Sequence, residues 1–364
     1  MPPYRRARPS LLAFALLTGL ALLSAACSPT TGGGGSPAGA GGAAGGEDSV
    51  LGMLALLPPL DADELGVVTV TRWHAGAAAH GVEVPGPGAD ADAILDYVAA
   101  LTLDDGGLAQ GSALLDLTTV ARSSTEEDFG FGAQQIAADV SAGLPPRVLS
   151  AARGDFDPEA VTEATLAGPV GAGTEQVEVD GVPVLRWLGD LETDLSQRHA
   201  LSPVGLAGRL GLPDGGTLLH AGSDDGIARL VAAATGGPSL ADDEDLAAVA
   251  AALDAEGVLA AQLTTRPEGS DLGYDAVGIG LVRDGAARVV LAYATGSAAE
   301  AATLSAEVEE LLTAGSSRAG GRPWSSLLSD PDVGTEGSLV TVTATVEGPA
   351  GLWARFLPVR ENLF

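Results

Sequence analysis

Lysine is absent from this chain, and all 18 basic residues are arginine. Without lysine the protein forms no Schiff base and has neither a P-loop lysine nor a Ser-x-x-Lys nucleophile pair. Cysteine occurs once, at Cys27, so the chain has no internal disulfide. Aromatic residues make up 4% of the sequence against 46% for all hydrophobic residues. The core is therefore expected to consist mainly of small aliphatic side chains with few large anchors.

Positive charge is also scarce, because 48 acidic residues give the chain a formal net charge of −30. A field of this sign repels phosphate backbones, so the sequence predicts no nucleic-acid partner. It repels anionic lipid headgroups as well, so any attachment to a membrane requires something other than a basic patch. The same acidity is what keeps an exported protein soluble.

The N-terminal residues have the pattern of an export signal. Arg5, Arg6 and Arg8 precede the uncharged run "LLAFALLTGLALL" at residues 11–23. This run has 13 residues, short of the roughly 20 that a helix needs to cross a bilayer. The small residues "SAA" then lead directly into Cys27.

Residues 22–27, "LLSAAC", resemble the lipobox of bacterial lipoproteins. Ser24 departs from that pattern, which favours leucine three places before the cysteine. The resemblance implies that residues 1–26 are a signal peptide, that the Cys27 thiol carries a diacylglyceryl group, and that Cys27 is the mature N-terminus. Two acyl chains anchor a protein far more stably than one. The expected location is the cell membrane, facing outside the cytoplasm.

Residues 27–49 contain almost no side chain able to pack, with glycine, alanine and serine dominating. Such a composition is typical of a flexible tether. For the 19 residues 28–46, a flexible chain has a typical span of about 25 Å. The folded part is therefore expected to lie near the membrane without resting on it.

Alternating apolar and polar residues predict half-buried strands at "VVTVTRW" near Val67 and at "SLVTVTATV" from Ser338. Asp180-Gly181 and Asp284-Gly285 each separate two such runs, which predicts two β-hairpins. The sheet is therefore expected to be mainly antiparallel.

In the segments between the predicted strands, apolar residues recur at the spacing of one face of a helix. Asp157, Pro158 and Gly168 supply a helix with an N-cap, a first residue and a stop. The apolar faces predict four further helices, carried by Ile94, Tyr97, Val98 and Leu101; by Ile227, Leu230, Val231 and Ala234; by Leu246, Val249, Ala250 and Leu253; and by Leu304, Val308, Leu311 and Leu312.

Strand, glycine, short polar residue and helix recur three times along the chain, at "VLSAARGDFDPEAV", "TLLHAGSDDGIARL" and "VVLAYATGSAAEAA". The recurrence favours an α+β fold made of two related units, each a mainly antiparallel sheet with helices packed on one face. We place the first unit at residues 50–238 and the second at residues 239–364.

No metal or cofactor site is predicted. The four histidines, His74, His80, His199 and His220, lack ligand spacing, and we expect each to lie at the surface or partly buried. The chain has no GxGxxG or GxxxxGK[ST] fingerprint. The densest acidic groups match no calcium loop and are interpreted as helix starts or solvated loops. They are Asp90, Asp92 and Asp96; Asp242, Asp243, Glu244 and Asp245; and Asp330, Asp332 and Glu336.

A hydrolase motif is also missing, since Ser223 in "GSDDG" stands one place too early for Gly-x-Ser-x-Gly. We interpret Ser223 as a helix N-cap. Among so many acids a carboxylate pair for glycoside hydrolysis would arise by chance. The four tryptophans, Trp73, Trp187, Trp324 and Trp353, are spread along the chain and are expected to be core or edge anchors.

The phrases "FGFGAQQ", "GDFDPEAV", "DGVPVLRW" and "SLADDEDL" resemble stretches of envelope proteins from GC-rich bacteria that have no known activity, so this resemblance implies none. The sequence therefore favours a lipid-anchored envelope protein that binds or scaffolds a protein or small molecule without catalysis. Two alternatives stay open: a hydrolase that uses carboxylates with serine, and a structural cell-surface protein. The only site residue predicted is Cys27, for lipidation.

Overall fold

The computed structural model describes residues 46–102, 107–108, 125–168, 170–199, 201–202, 204–266, 273–361 and 363–364. Within these ranges the chain forms a 12-stranded sheet and nine α-helices. The strands are β1 (Val68–Thr71), β2 (Ile136–Ala142), β3 (Leu149–Gly154), β4 (Glu175–Val179), β5 (Val182–Trp187), β6 (Gly208–Asp214), β7 (Thr217–Ala221), β8 (Ala260–Thr265), β9 (Ala276–Asp284), β10 (Ala286–Ala294), β11 (Leu328–Glu336) and β12 (Leu339–Val346). The helices are α1 (Val50–Leu54), α2 (Ala62–Leu65), α3 (Trp73–His80), α4 (Ala91–Thr102), α5 (Thr125–Phe129), α6 (Pro158–Ala167), α7 (Asp224–Ala234), α8 (Glu244–Ala255) and α9 (Ala298–Ala314).

The strands follow the order β11-β12-β10-β9-β8-β1-β2-β3-β7-β6-β5-β4, and every neighbouring pair is antiparallel. This confirms the predicted α+β class and the antiparallel pairing. The predicted boundary between residues 238 and 239 lies between α7 and α8. Strands β1 to β7 come before it and β8 to β12 after it, and the two sets meet where β1 pairs with β8. The division into units stays a prediction.

The two sets of strands share one order of elements. In each, three strands pair in sequence, a helix follows, and the last strand of the set returns to pair with the third. Thus β7 pairs with β3 and β12 pairs with β10. The intervening helices, α6 and α9, pack into the same core.

Helices cover both faces of the sheet, and the prediction of a single covered face is wrong. We call face A the side that carries Val68 and Val70, and face B the side that carries Thr69 and Thr71. Helices α1, α7 and α8 pack on face A, whereas α3, α4, α5, α6 and α9 pack on face B. The cause is visible in the strands, since β7 and most of β9 are buried without alternation.

Local sequence signals are confirmed at the hairpins and the helices. Asp180 and Gly181 adopt φ of 48° and 83°, as a tight turn between β4 and β5 requires. Asp157 accepts from the backbone N–H groups of Glu159 and Ala160 and so caps α6. Val340, Val342, Ala344 and Val346 are buried along β12, and the predicted apolar faces of α4, α7, α8 and α9 are buried or partly buried.

Residues 330–336 were expected to be a helix start or a solvated loop, and this is wrong. They belong to β11, an exposed edge strand paired with β12. The register shifts between Ser329 and Asp332, around Pro331. A bulge, a proline and acidic side chains are the features that protect a sheet edge from pairing with another chain.

The described chain begins beside the C-terminal end of α8. The Asp254 carboxylate accepts hydrogen bonds from the N–H groups of Val50, at 2.7 Å, and Leu51, at 3.0 Å. Strand β8, which follows α8, begins opposite the last residue of β1. Residue 46 therefore lies toward the sheet end where β1 finishes. No helix in the described ranges combines the length and the apolar character of a membrane span.

Candidate functional site

Several connections meet at the end of the sheet where β1 begins, which we call the groove end. They are the β2–β3 turn at residues 143–148, the loop at residues 188–191, the β7–α7 junction, the end of β8 and the C-terminal segment. Antiparallel pairing puts them together because strands β2, β5, β7 and β8 end here while β1, β3 and β9 begin. Two grooves lie at this end, one on each side of the β2–β3 turn.

The first groove has a volume of about 550 Å³ and lies between the β2–β3 turn and α7. Its apolar surface comes from Leu60, Leu144 and Leu191. Its two arginines are Arg147 and Arg229, and the Arg229 guanidinium already bonds to the carbonyl of Pro59 and pairs with Glu64 at 3.4 Å. Asp63, Glu64, Asp190 and Asp225 outnumber these cations, so the first groove is acidic.

The second groove has a volume of about 740 Å³ and lies between the β2–β3 turn, the end of β8 and the C-terminal segment. Arg266 and Arg360 line it, and Asp63 is the one acidic residue among its described lining residues. Asp63 and Leu144 border both grooves. Leu144 is 53% exposed. A Cβ on Gly66 would lie 2.9 Å from the Leu144 Cδ2 atom, so glycine at this position leaves room for the leucine.

Aromatic side chains back the second groove. Tyr274 is buried beside Tyr293, with ring centroids 5.9 Å apart, and Phe364 stacks on Tyr293 at 6.5 Å. The Tyr293 hydroxyl donates to the carbonyl of Leu363 at 3.1 Å. Burial raises the pKa of Tyr293 well above its usual range, so the phenol is neutral. This wall is thus rigid and apolar.

An arginine network lies beside the first groove. Arg209 is 2% exposed, and its guanidinium pairs with Asp190 at 2.7 Å and Asp224 at 2.5 Å. It also donates to the carbonyls of Trp187 and Gly208. The neighbouring Arg186 pairs with Glu175 at 2.8 Å and Asp224 at 3.5 Å, but is much more exposed.

The network holds the 188–191 loop in a strained conformation. Leu188 and Leu191 have φ of 60° and 54°, in the left-handed region that costs a branched side chain energy. Between them, the Asp190 carboxylate accepts from Arg209 and from the Asp224 N–H. Because Leu191 lines the first groove, Arg209 and Asp190 fix the shape of one of its walls.

A row of polar side chains crosses the middle of face B. Cross-strand pairing places Gln262, Thr69, Ser141, Ser150 and His220 side by side on β8, β1, β2, β3 and β7. Leucine and isoleucine continue the same row at both ends, at Leu210 and Ile279. The Ser150 Oγ, His220 Nε2 and Gln262 Oε1 atoms are buried without a hydrogen-bond partner.

Two histidines lie against Trp187 on this face. Its indole is 5.3 Å from the His199 ring and 6.3 Å from the His220 ring. A Cβ on Gly208 would lie 2.0 Å from the Trp187 Cζ2 atom, so the tryptophan packs here only over glycine. Burial lowers the pKa of both histidines to about 4, and His199 lowers that of His220 further. Both imidazoles are therefore neutral near pH 7.

The histidines and tryptophans of the sequence analysis are distributed as follows. His74, half-buried, bonds to the Gln134 carbonyl at 2.9 Å. His80 and His199 are also partly buried, as predicted, whereas His220 is 8% exposed and lies within the core. All four tryptophans are buried, which confirms them as core anchors: Trp73, Trp187, Trp324 and Trp353.

Ser223 caps α7 by accepting from the Gly226 N–H, which confirms its predicted role. Two of the acidic groups are helix starts, also as predicted. Asp90 accepts from the Ala93 N–H at the start of α4, and Asp243 accepts from two N–H groups of α8. Among the described residues, no three His, Cys, Asp or Glu side chains are placed to hold a metal ion. Cys27 and the rest of the predicted signal lie outside the described residues.

Sequence reasoning missed the grooves, the Arg209 network and the polar row. Each combines residues that lie far apart in the sequence, and no local motif marks them. The one available signal was polar residues at inward positions of apolar strands, such as His220 in "TLLHA" and Gln262 in "AAQLTT".

No family model and no curated protein matches the chain. Among solved structures, two crystal forms of TP0453 are similar to it at 10% sequence identity. The match with form I covers 86% of this chain and 97% of the TP0453 chain, with a TM-score of 0.40. The match with form III covers 84% of this chain and 97% of the TP0453 chain, with a TM-score of 0.39. We draw no functional conclusion from a likeness at this level.

Proposed function

We propose that the protein is an exported, lipid-anchored binding protein whose folded part takes an amphiphilic ligand at the groove end and catalyses no reaction. The signal pattern and Cys27 support the anchor. The glycine-rich stretch after Cys27 supports a folded part held at some distance from the membrane.

The two grooves that share Leu144 carry the proposal of ligand binding. Their volumes, about 550 and 740 Å³, are within the usual size of small-molecule sites. Each combines apolar side chains with a few charged groups, which is the composition of such sites. The half-exposed Leu144 between them supplies apolar surface that a ligand would cover.

A hydrolase is the second candidate, and one observation favours it. Ser150 and His220 are cross-strand neighbours, and both are buried on face B. However, the Ser150 Oγ atom makes no hydrogen bond to the imidazole or to any other group. Neither residue lines the grooves described above. This pair therefore supports catalysis less well than the grooves support binding.

Binding is tested with the full chain carrying Cys27→Ala, so that no acyl chain of its own competes for the grooves. The probe is the neutral dye N-phenylnaphthylamine, whose fluorescence rises in apolar surroundings. We expect saturable binding, weakened about tenfold by Leu144→Asp because the contact area of one leucine is worth roughly 1.5 to 3 kcal/mol.

Leu195→Asp is the matched control, since Leu195 is 60% exposed and lines neither groove. It should bind the dye as the parent does. Equal loss in both variants, or no saturable binding in the parent, would refute the ligand-binding proposal and leave the structural cell-surface protein as the better interpretation.

The anchor is tested separately in cells of a bacterium that processes lipoproteins. Cys27→Ala should move the protein from the membrane fraction to the soluble fraction, whereas Ser28→Ala should leave it membrane-bound. Retention of Cys27→Ala in carbonate-washed membranes would show that the thiol is not the attachment site.

A further inference from the structure

Among the residues that the structure describes, the second groove has more lining arginines than lining acids. In a chain of net charge −30, its described lining contains Arg266 and Arg360 against one acid, Asp63. In the first groove, by contrast, acids outnumber arginines. The second groove is thus a cationic site on a strongly acidic molecule.

The guanidinium groups of the second groove are held less tightly by carboxylates than those of Arg186, Arg209 and Arg229. Arg209, Arg186 and Arg229 each pair with a carboxylate at 3.4 Å or less. Among the described residues Arg266 pairs with the Asp275 carboxylate alone, at 3.9 Å, and its side chain is 54% exposed. Such a pair is at the outer limit of an ion pair and is weak in water.

Arg360 has no ion pair among the described residues. Its backbone has φ of 48°, a left-handed conformation that is costly for arginine. The segment before it is fixed, because Phe356 and Leu357 are buried. Arg360 is therefore an exposed lining residue of the groove with no ion pair among the described residues.

The second groove also has apolar surface, which favours a ligand with an apolar part. Tyr274 and Phe364 belong to the aromatic wall, and Leu144 forms the exposed rim. A small inorganic anion would leave this apolar surface in contact with water. An apolar molecule without a head would make no ion pair with Arg266 or Arg360.

We infer that the second groove binds a single-chain anionic amphiphile, with its carboxylate or phosphate head on Arg266 and Arg360 and its alkyl chain along Tyr274, Phe364 and Leu144. This inference rests on the proposed function and gives its ligand a chemical class. Arginine suits the role because its planar fork bonds carboxylate and phosphate oxygens in pairs.

The test uses the full chain with Cys27→Ala and four probes of one chain length: dodecanoate, dodecyl phosphate, dodecyltrimethylammonium and dodecanol. Inorganic phosphate is the fifth probe. Affinities are measured by displacement of N-phenylnaphthylamine and by calorimetry. The variants are Arg266→Gln and Arg360→Gln, with Arg198→Gln as control because Arg198 is exposed and does not line the groove.

We expect both anionic amphiphiles to bind at least tenfold more tightly than dodecanol and dodecyltrimethylammonium, and inorganic phosphate to bind far more weakly than dodecyl phosphate. Each groove variant should weaken the anionic amphiphiles about tenfold, as the loss of one hydrogen bond to a charged group implies. The same variants should leave dodecanol unaffected, and Arg198→Gln should change nothing.

Equal binding of the cationic and anionic amphiphiles, or unchanged anion affinity in both variants, would overturn this inference. If binding in that case remained sensitive to Leu144→Asp, the proposed function would stand without it. Inorganic phosphate binding as tightly as dodecyl phosphate would also overturn it, since the site would then recognise a free anion. If no amphiphile bound, both proposals would fail.

Discussion

Buried charge at a single residue shapes the first groove. Arg209 is enclosed, while its partners Asp190 and Asp224 are about half exposed. The carboxylates would thus remain hydrated without the arginine. What its removal takes away is the set of charge-assisted hydrogen bonds that hold the strained 188–191 loop.

Arg209→Met should therefore lower the free energy of unfolding by about 1.5 to 3 kcal/mol, the range for hydrogen bonds to charged groups. Arg186→Met is the matched control on the neighbouring strand, and should cost under about 1 kcal/mol because this guanidinium is solvent-exposed. Urea denaturation measures both. Equal losses would show that Arg209 acts by surface charge alone.

The neutral histidines beside Trp187 make stability depend on pH. Their folded pKa of about 4 is below the ordinary value of 6.5, so the unfolded chain binds more protons between these values. Stability is then fully present above about pH 6.5 and declines as pH falls toward 4.

Between pH 7 and pH 5 each buried histidine should account for about 2 kcal/mol of lost stability, since one pKa unit corresponds to about 1.4 kcal/mol. His220→Leu should reduce the loss by about half, and the double variant with His199→Leu should remove most of it. Urea midpoints at the two pH values measure this. A loss of the same size in the double variant would contradict the assignment.

At the scale of elements, the first helix depends on a distant side chain. Helix α1 has five residues, too few to form alone. Asp254 accepts from its first two N–H groups, and Val50, Met53 and Leu54 are buried on face A. The helix is therefore stable only when docked on α8.

Asp254→Ala should remove protection from hydrogen exchange at the amides of Val50 and Leu51, and lower stability by about 1 to 3 kcal/mol because two buried donors lose their acceptor. Asp157→Ala, which removes an exposed cap from α6, should cost about 1 kcal/mol and leave α1 protected. Unchanged exchange in Asp254→Ala would mean that apolar contacts alone hold α1.

Helices and hairpins whose ends are determined by neighbouring residues could be predicted from the sequence. Asp180-Gly181 determines its hairpin through the φ values it permits, and Asp157, Pro158 and Gly168 bracket α6 by capping. The second covered face could not be predicted in this way, because continuous burial of "TLLHA" depends on helices from elsewhere in the chain. Likewise, nothing in the sequence distinguishes Arg209 from other strand arginines, because its role depends on its ion pairs with Asp190 and Asp224. The grooves form where five separate segments of the chain come together, and none of these segments has a sequence motif that indicates a binding site.

At the scale of the whole molecule, the pairing of β1 with β8 decides whether the protein unfolds in one step or as two separate halves. Val68 and Val70 of β1 share the face A core with Leu263 of β8 and with α8. That core extends across the predicted boundary between residues 238 and 239.

We therefore expect one calorimetric transition, with the calorimetric enthalpy close to the van't Hoff enthalpy. Val70→Ala should lower its midpoint as a whole, by a free energy of about 1 to 3 kcal/mol for a buried cavity. Two transitions, only one of them shifted by Val70→Ala, would show that the halves unfold separately.

The position at which the described chain begins has a further consequence for the molecule. Residue 46 lies toward one end of the sheet and both grooves open at the other, with strand β8 between them. Six residues of strand correspond to roughly 20 Å. Under the proposed function the sheet is thus a spacer, because the grooves lie at the end of the sheet away from residue 46, which follows the proposed anchor and tether in the chain.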